Sequence, residues 1–182
     1  MLKTLFNTVA FCVSLFVLYS VYQSVNIPTE FKIAVSRNVE ASPSKVFDLL
    51  NMSARFSEWE PWSKADPTLK MFFDGPATGL GSIVAWNSKR RGNVTVQWRS
   101  AVPNKEVSYA VAVQDYGGRY DMVFEIEQDL VDDHLVKLTW QLSGRRKPLE
   151  KPFWYFLKLD AKIRRDFLAG LENMENLLKA GK

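Results

Sequence analysis

The sequence predicts an α+β fold: a curved antiparallel sheet of about seven strands wrapped around a long C-terminal helix, with two short helices after the first strand and a transmembrane helix in front. Three observations carry this. An uncharged apolar run opens the chain, apolar and polar residues alternate between positions 31 and 142, and apolar residues near the C-terminus recur at helical spacing.

Residues 5–22 contain no charge and only small polar interruptions. As a helix this run is about 27 Å long, against a hydrocarbon core of about 30 Å. A cleaved signal peptide is the rival reading. It fits less well, because exits after Ser20 or Ser24 place Leu18 or Tyr22 where a small residue is needed. A lipoprotein signal fails because Phe11 precedes Cys12. Tyr19 and Tyr22 suit a membrane interface, and Lys3 with the free amino terminus favours a cytoplasmic N-terminus. The expected protein is therefore single-pass, with its domain on the outer side, such as a bacterial periplasm. A soluble exported domain is the alternative if the run is removed. A linker over 23–30 contains Pro28 and reaches at most about 27 Å, which holds the domain of residues 31–182 near the bilayer.

Within that domain Phe31, Ile33 and Val35 alternate as a first strand. Ser42 then caps a helix with Pro43 at its first position and Val46, Phe47, Leu49 and Leu50 on one face. A second short helix carries Phe56 and Trp59 and stops at Pro61. Leu69, Met71 and Phe73 begin the strand series, and Gly79-Leu80-Gly81 turns into residues 82–86. Val94, Val96 and Trp98 follow, then Val107, Tyr109, Val111 and Val113. Tyr116-Gly117-Gly118-Arg119 reads as a hairpin turn before Tyr120, Met122, Phe124 and Ile126. Asp132-Asp133 turns into Val136, Leu138, Trp140 and Leu142. One helix over 152–179 presents Phe153, Phe156, Leu157, Ile163, Phe167, Leu171, Met174, Leu177 and Leu178 to the sheet.

Composition narrows the function classes. The 182 residues are 47% hydrophobic and 24% charged, a globular balance that excludes a disordered or collagen-like chain. One cysteine excludes a disulfide framework, and Cys12 with His134 cannot make a zinc site. No metal or cofactor is expected. The formal charge of +4 is too small an excess for a dedicated nucleic-acid binder.

Several blocks together resemble the START-like (SRPBCC) helix-grip superfamily, in its polyketide cyclase/dehydratase and lipid transport branch. They are Ala41-Ser42-Pro43-Ser44-Lys45-Val46-Phe47-Asp48-Leu49-Leu50, Phe56-Ser57-Glu58-Trp59-Glu60-Pro61-Trp62, and Gly79-Leu80-Gly81-Ser82 with Trp86. Asp160, Ile163, Asp166, Phe167, Gly170 and Leu171 match the spacing of the branch's terminal helix. The resemblance covers residues 31–180. It departs at Asn51-Met52-Ser53, where the branch commonly has an aspartate-containing turn, and at the charged pair Arg164-Arg165. It implies a hydrophobic ligand held between sheet and terminal helix.

Catalytic constellations are sparse. His134 beside a turn reads as a solvated edge residue, and Gly79-Leu80-Gly81 opens a strand and lacks the dinucleotide-binding pattern. Glu58 and Glu60 flank Trp59. They are the only weak candidates for a general acid, weighed against a solvated loop. Asp115 and Asp121 serve the nearby hairpin. The aromatic residues say more. Trp59, Trp62, Trp98, Tyr109, Met122, Phe124, Trp140, Phe167, Leu171 and Met174 are the candidate cavity lining, with ordinary core packing as the alternative. Lys89-Arg90-Arg91 caps a hairpin. Arg145, Arg146, Lys147, Arg164 and Arg165 are candidate contacts to anionic lipid head groups, with a solvated helix face as the alternative. Three uses of such a domain remain open: binding of a lipid or polycyclic molecule, a cyclase- or dehydratase-like reaction in the same cavity, and an interaction module whose groove its own side chains fill.

Overall fold

The computed structural model describes residues 2–90, 92–132 and 134–181, so Arg91 and Asp133 of the expected turns lie outside the described residues. Helix α1 (Leu2–Val25) leads into β1 (Glu30–Glu40), followed by three short helices, α2 (Pro43–Asn51), α3 (Phe56–Trp59) and α4 (Trp62–Ala65). Six strands follow: β2 (Lys70–Asp74), β3 (Ile83–Asn87), β4 (Val94–Val102), β5 (Glu106–Val113), β6 (Gly118–Gln128) and β7 (Leu135–Arg145). Helices α5 (Lys151–Phe156) and α6 (Leu159–Ala180) close the chain.

All seven strands form one sheet in the order β1-β7-β6-β5-β4-β3-β2, with every pairing antiparallel. Hairpins join β2 through β7 in sequence, whereas β1 crosses to the far edge beside β7. The chain over α2, α3 and α4 makes that crossing. Ser42 accepts from the Lys45 amide as the α2 cap, with Pro43 at the first helical position, where its missing N–H costs nothing. At the β5–β6 turn Gly117 has φ +66°, a left-handed conformation that glycine adopts without the Cβ penalty.

Alternation along the strands places Val107 and Tyr109 of β5, Met122 and Phe124 of β6, and Leu138 and Trp140 of β7 on the concave face. Helix α6 covers that face with Phe167, Gly170, Leu171, Met174 and Leu178. Phe167 stacks on Trp140 with ring centroids 4.0 Å apart and planes 6° from parallel. Gly170 is required at the next turn, because a Cβ there would press into the Trp140 ring. Beneath α2, the Trp98 indole and the Tyr109 hydroxyl both donate to the Leu50 carbonyl, at 3.2 and 2.9 Å. They satisfy an acceptor that the end of a helix leaves unpaired. Burial pushes the Tyr109 phenol well above its ordinary value, so it stays a donor.

The terminal helix departs from expectation. The helix expected over 152–179 is broken at Lys158, which has φ +47°, and its two pieces differ in what they cover. Ile163, Phe167, Leu171, Met174, Leu177 and Leu178 belong to the core, but Phe153, Phe156 and Leu157 point away from it. Helical spacing groups residues on one face only while the axis is continuous, and the turn at Lys158 ends that continuity.

Replacing Gly170 by Ala should lower stability by about 1–3 kcal/mol through overpacking against Trp140, outweighing a helix-propensity gain of at most about 1 kcal/mol. Thermal denaturation checks this, and an unchanged or raised Tm would refute it. A second expectation concerns pH. Glu175 of α6 accepts from Lys179 and from Arg37 of β1, and these partners hold its carboxyl below the ordinary value of 4.5. Its folded value lies below its unfolded one, so this stabilisation is full above about pH 4.5 and is lost as pH falls through the lowered value. Glu175→Gln should therefore lower Tm near neutrality and flatten its fall on acidification, as read from Tm measured across that range.

Candidate functional site

The concave face is filled at one end and open at the other, and side-chain size decides which. Under the middle and C-terminal turns of α6 the inward positions are Trp98, Tyr109, Phe124 and Trp140, packed edge-to-face or tilted with centroids 4.7–5.9 Å apart. Trp59 enters from α3 and contacts Phe124 and Trp140 at 5.5 Å. Toward the start of α6 the inward positions shrink to Val94 and Val96 of β4, Val111 and Val113 of β5, and Leu142 of β7. These side chains do not span the gap to α6, and a cavity of about 300 Å³ remains. That is at the small end of the range for ligand sites, about 300–1,000 Å³.

Its walls are mainly apolar, with a few convergent polar groups. Trp62 and Trp86 stack at 5.4 Å on one side, and the Trp62 indole donates to the Asp166 carboxylate at 3.1 Å. The Trp86 indole N–H is buried and has no hydrogen-bond partner among the described residues. Lys162 and Arg90 bring cationic heads to the rim, and Trp154 of α5 closes part of the mouth. No group of His, Cys, Asp and Glu side chains able to hold a metal ion occurs among the described residues.

Beside this mouth Arg146 departs from its expected place on a lipid-facing surface. It is only 4% exposed, because its guanidinium lies 4.6 Å from the Phe31 ring and 4.5 Å from the Trp154 ring. It donates to Asp160 at 2.7 Å and to the Pro28 carbonyl at 3.0 Å, while its own amide donates to the Thr29 carbonyl at 2.7 Å. Arginine can fill this role because a planar, weakly hydrated cation stacks and forks at once. Arg145, Lys147, Arg164 and Arg165 are exposed. Lys147 lies beside Glu150, and Arg164 donates to the Ala34 carbonyl at 2.8 Å.

Of the candidate lining residues, Trp62, Met122 and Phe167 border the cavity. Trp59, Trp98, Tyr109, Phe124, Trp140, Leu171 and Met174 pack in the filled half. Glu58 pairs with Arg55 at the surface at 3.0 Å, away from the cavity. Glu60 is not in a solvated loop: it is buried and accepts from the Trp62 and Ser63 amides at the start of α4. The sequence reading did not select Trp86, Val94, Val96, Val111, Val113, Tyr120, Leu142, Trp154, Ile163 and Asp166 of the wall. The signal for several of them was present. Strand parity already turned Val111, Val113 and Leu142 inward, and a run of small inward residues beside a run of large ones marks where space is left.

No family model matches the chain, and no curated protein matches it. Solved structures do. The Aha1 dimer from Colwellia psychrerythraea is 18% identical with a TM-score of 0.58, covering 84% of this chain and 98% of that one. Protein MLL2253 from Mesorhizobium loti is 17% identical with a TM-score of 0.60, covering 84% and 99%. DynU16, a protein of the dynemicin biosynthetic locus, is 14% identical with a TM-score of 0.57 over 83% of this chain, which spans about half (48%) of its length. At these identities the shared property is the fold, a sheet gripping a helix in the helix-grip manner.

Arg146→Lys should destabilise the domain by on the order of 2 kcal/mol, since an ammonium loses the two-ring stack and the fork. It should also expose residues 26–30 to limited proteolysis. Wild-type Tm and protease resistance in the lysine variant would show that charge alone suffices.

Proposed function

We propose that this chain is a membrane-anchored member of the START-like superfamily that binds a compact hydrophobic molecule between its sheet and α6. The observation that carries the reading is the placement of the cavity. It lies at the end of the domain where β1 begins, β7 ends and α1 joins the chain, so its mouth faces the side on which the anchor enters. Support for the anchor comes from α1 itself. Residues Lys3–Tyr22 are apolar and almost entirely unburied, which leaves most of their surface, apart from the contact of Phe16 with Phe156, to a bilayer. Lys3 orients the N-terminus toward the cytoplasm.

The wall narrows the ligand class. A volume of 300 Å³ equals roughly ten water molecules of liquid, which suits a single acyl chain or a small polycycle rather than a two-chain lipid. The unpartnered Trp86 N–H asks for an acceptor on the ligand, and Lys162 and Arg90 at the rim favour an acidic or strongly polar end that stays near water. The ligand that fits is an amphipathic molecule with an apolar body and an anionic or carbonyl-bearing head.

The test is native mass spectrometry of the full chain, purified gently in detergent from its own host, with solvent extraction of the bound fraction. A discrete apolar compound at one per chain is expected. Val111→Trp, which fills the cavity from its wall, should abolish uptake while leaving Tm within a few degrees. A clean apo mass, with no uptake from a panel of fatty acids and polycyclic acids, would favour the filled-groove interaction module instead.

A further inference from the structure

The segment between the sheet and α6 carries apolar surface that the domain does not use. Leu149 is 86% exposed, Phe153 64% and Leu157 62%, and Phe156 is half-buried beside them. Clustered exposed apolar side chains of this size on a globular domain point to a contact site, and the turn at Lys158 is what swings this surface off the core.

The neighbour on one side of this patch is α1. Phe156 packs on Phe16 with ring centroids 5.4 Å apart, and the Tyr155 hydroxyl is hydrogen-bonded to Tyr19. These contacts set a depth. Phe16 precedes Tyr22, the end of the apolar span, by six residues, which is about 9 Å along a helix axis. Interfacial helices bury their apolar face about 5–10 Å into the boundary between head groups and acyl chains. Lys147 and Lys158 flank residues 149–157 and Lys151 lies within them, and their long apolar stems allow the ammonium groups to reach the phosphate level from a shallow buried position, with Glu150 paired to Lys147.

We infer that residues 149–157, with α5 at their centre, insert into the outer leaflet beside α1 as a second, interfacial membrane contact. This rests on the reading of α1 as a bilayer-spanning anchor. The inserted segment holds the mouth of the cavity at the membrane surface, because Trp154 of α5 lines that mouth while Phe156, two residues on, lies against α1. A ligand then enters from the acyl region past Trp154 without crossing bulk water.

The experiment uses the full chain in a Cys12→Ser background, reconstituted in phosphatidylcholine–phosphatidylglycerol vesicles, with single spin labels introduced by Val13→Cys, Phe153→Cys or Val131→Cys. Val13 lies within α1, and Val131 sits at the exposed β6–β7 tip, at the opposite end of those strands from α5. Collision with oxygen, which partitions into lipid, is compared with collision with a water-soluble nickel chelate. The expected result is a several-fold higher oxygen-to-nickel ratio at 153 than at 131, with 13 higher still. Leu149→Cys provides a second probe should Phe153→Cys perturb the α1 contact. A water-like ratio at 153 and 149 with a lipid-like ratio at 13 would overturn the inference and leave the anchor standing. Water-like ratios at all sites would overturn both. Protection of 153 from both relaxants would show that another protein surface covers the patch, and would also overturn it.

Discussion

The stack of Phe167 on Trp140 sets the height of α6 above the sheet, and the rest of the domain is arranged around that distance. A 4.0 Å separation between rings brings a helix close to a strand only if the next turn of the helix carries no side chain at the contact, and Gly170 meets that condition. With the axis held there, large aromatic residues fill the groove completely and valines do not. The cavity is thus a product of two choices made far apart in sequence: a glycine in α6 and small β-branched residues at the ends of β4 and β5. Neither choice alone leaves a site. A larger residue at 170 would lift the helix, and larger residues at 111 or 113 would fill the space beneath it.

A second constraint gathers the end of the domain next to α1. The Arg146 guanidinium touches the first residue pair of β1, the linker, α5 and α6 through Phe31, Pro28, Trp154 and Asp160. Burying a charge costs several kcal/mol unless it is paired and hydrogen-bonded, and here one carboxylate, one carbonyl and two π faces share the compensation. The same group stacks on Trp154, a residue of the cavity wall. Local packing and the shape of the site therefore depend on one side chain.

The strands were legible in the sequence because period-two alternation reports burial directly, and the inward positions from Val94 to Leu142 follow it except at the irregularity after Trp98, where Ala101 rather than an even-spaced residue turns inward. The caps were legible because Ser42-Pro43 and the glycine turns have local causes. The break at Lys158 was not. It needs a left-handed non-glycine residue, and only the tertiary demands of Trp154 on Phe31 and of Phe167 on Trp140 call for two helix axes there. The site was legible in part. Trp62, Met122 and Phe167 were marked by size and parity, but size was read as a sign of lining when in most positions it is a sign of filling. Arg146 was read from its charged neighbours in sequence, and sequence neighbours on a strand end point to opposite sides.

Residues 26–29 between α1 and β1 are few, and two of them are not loose. The Arg146 amide and guanidinium hold the carbonyls of Thr29 and Pro28, so the connection is a fastened corner rather than a hinge. If α1 spans a bilayer, as proposed, such a corner removes the tumbling freedom that a flexible tether would leave the domain. Its bearing relative to the membrane is then inherited from the anchor, and its encounters become a two-dimensional search in which lateral diffusion, rather than reach, decides what the cavity meets.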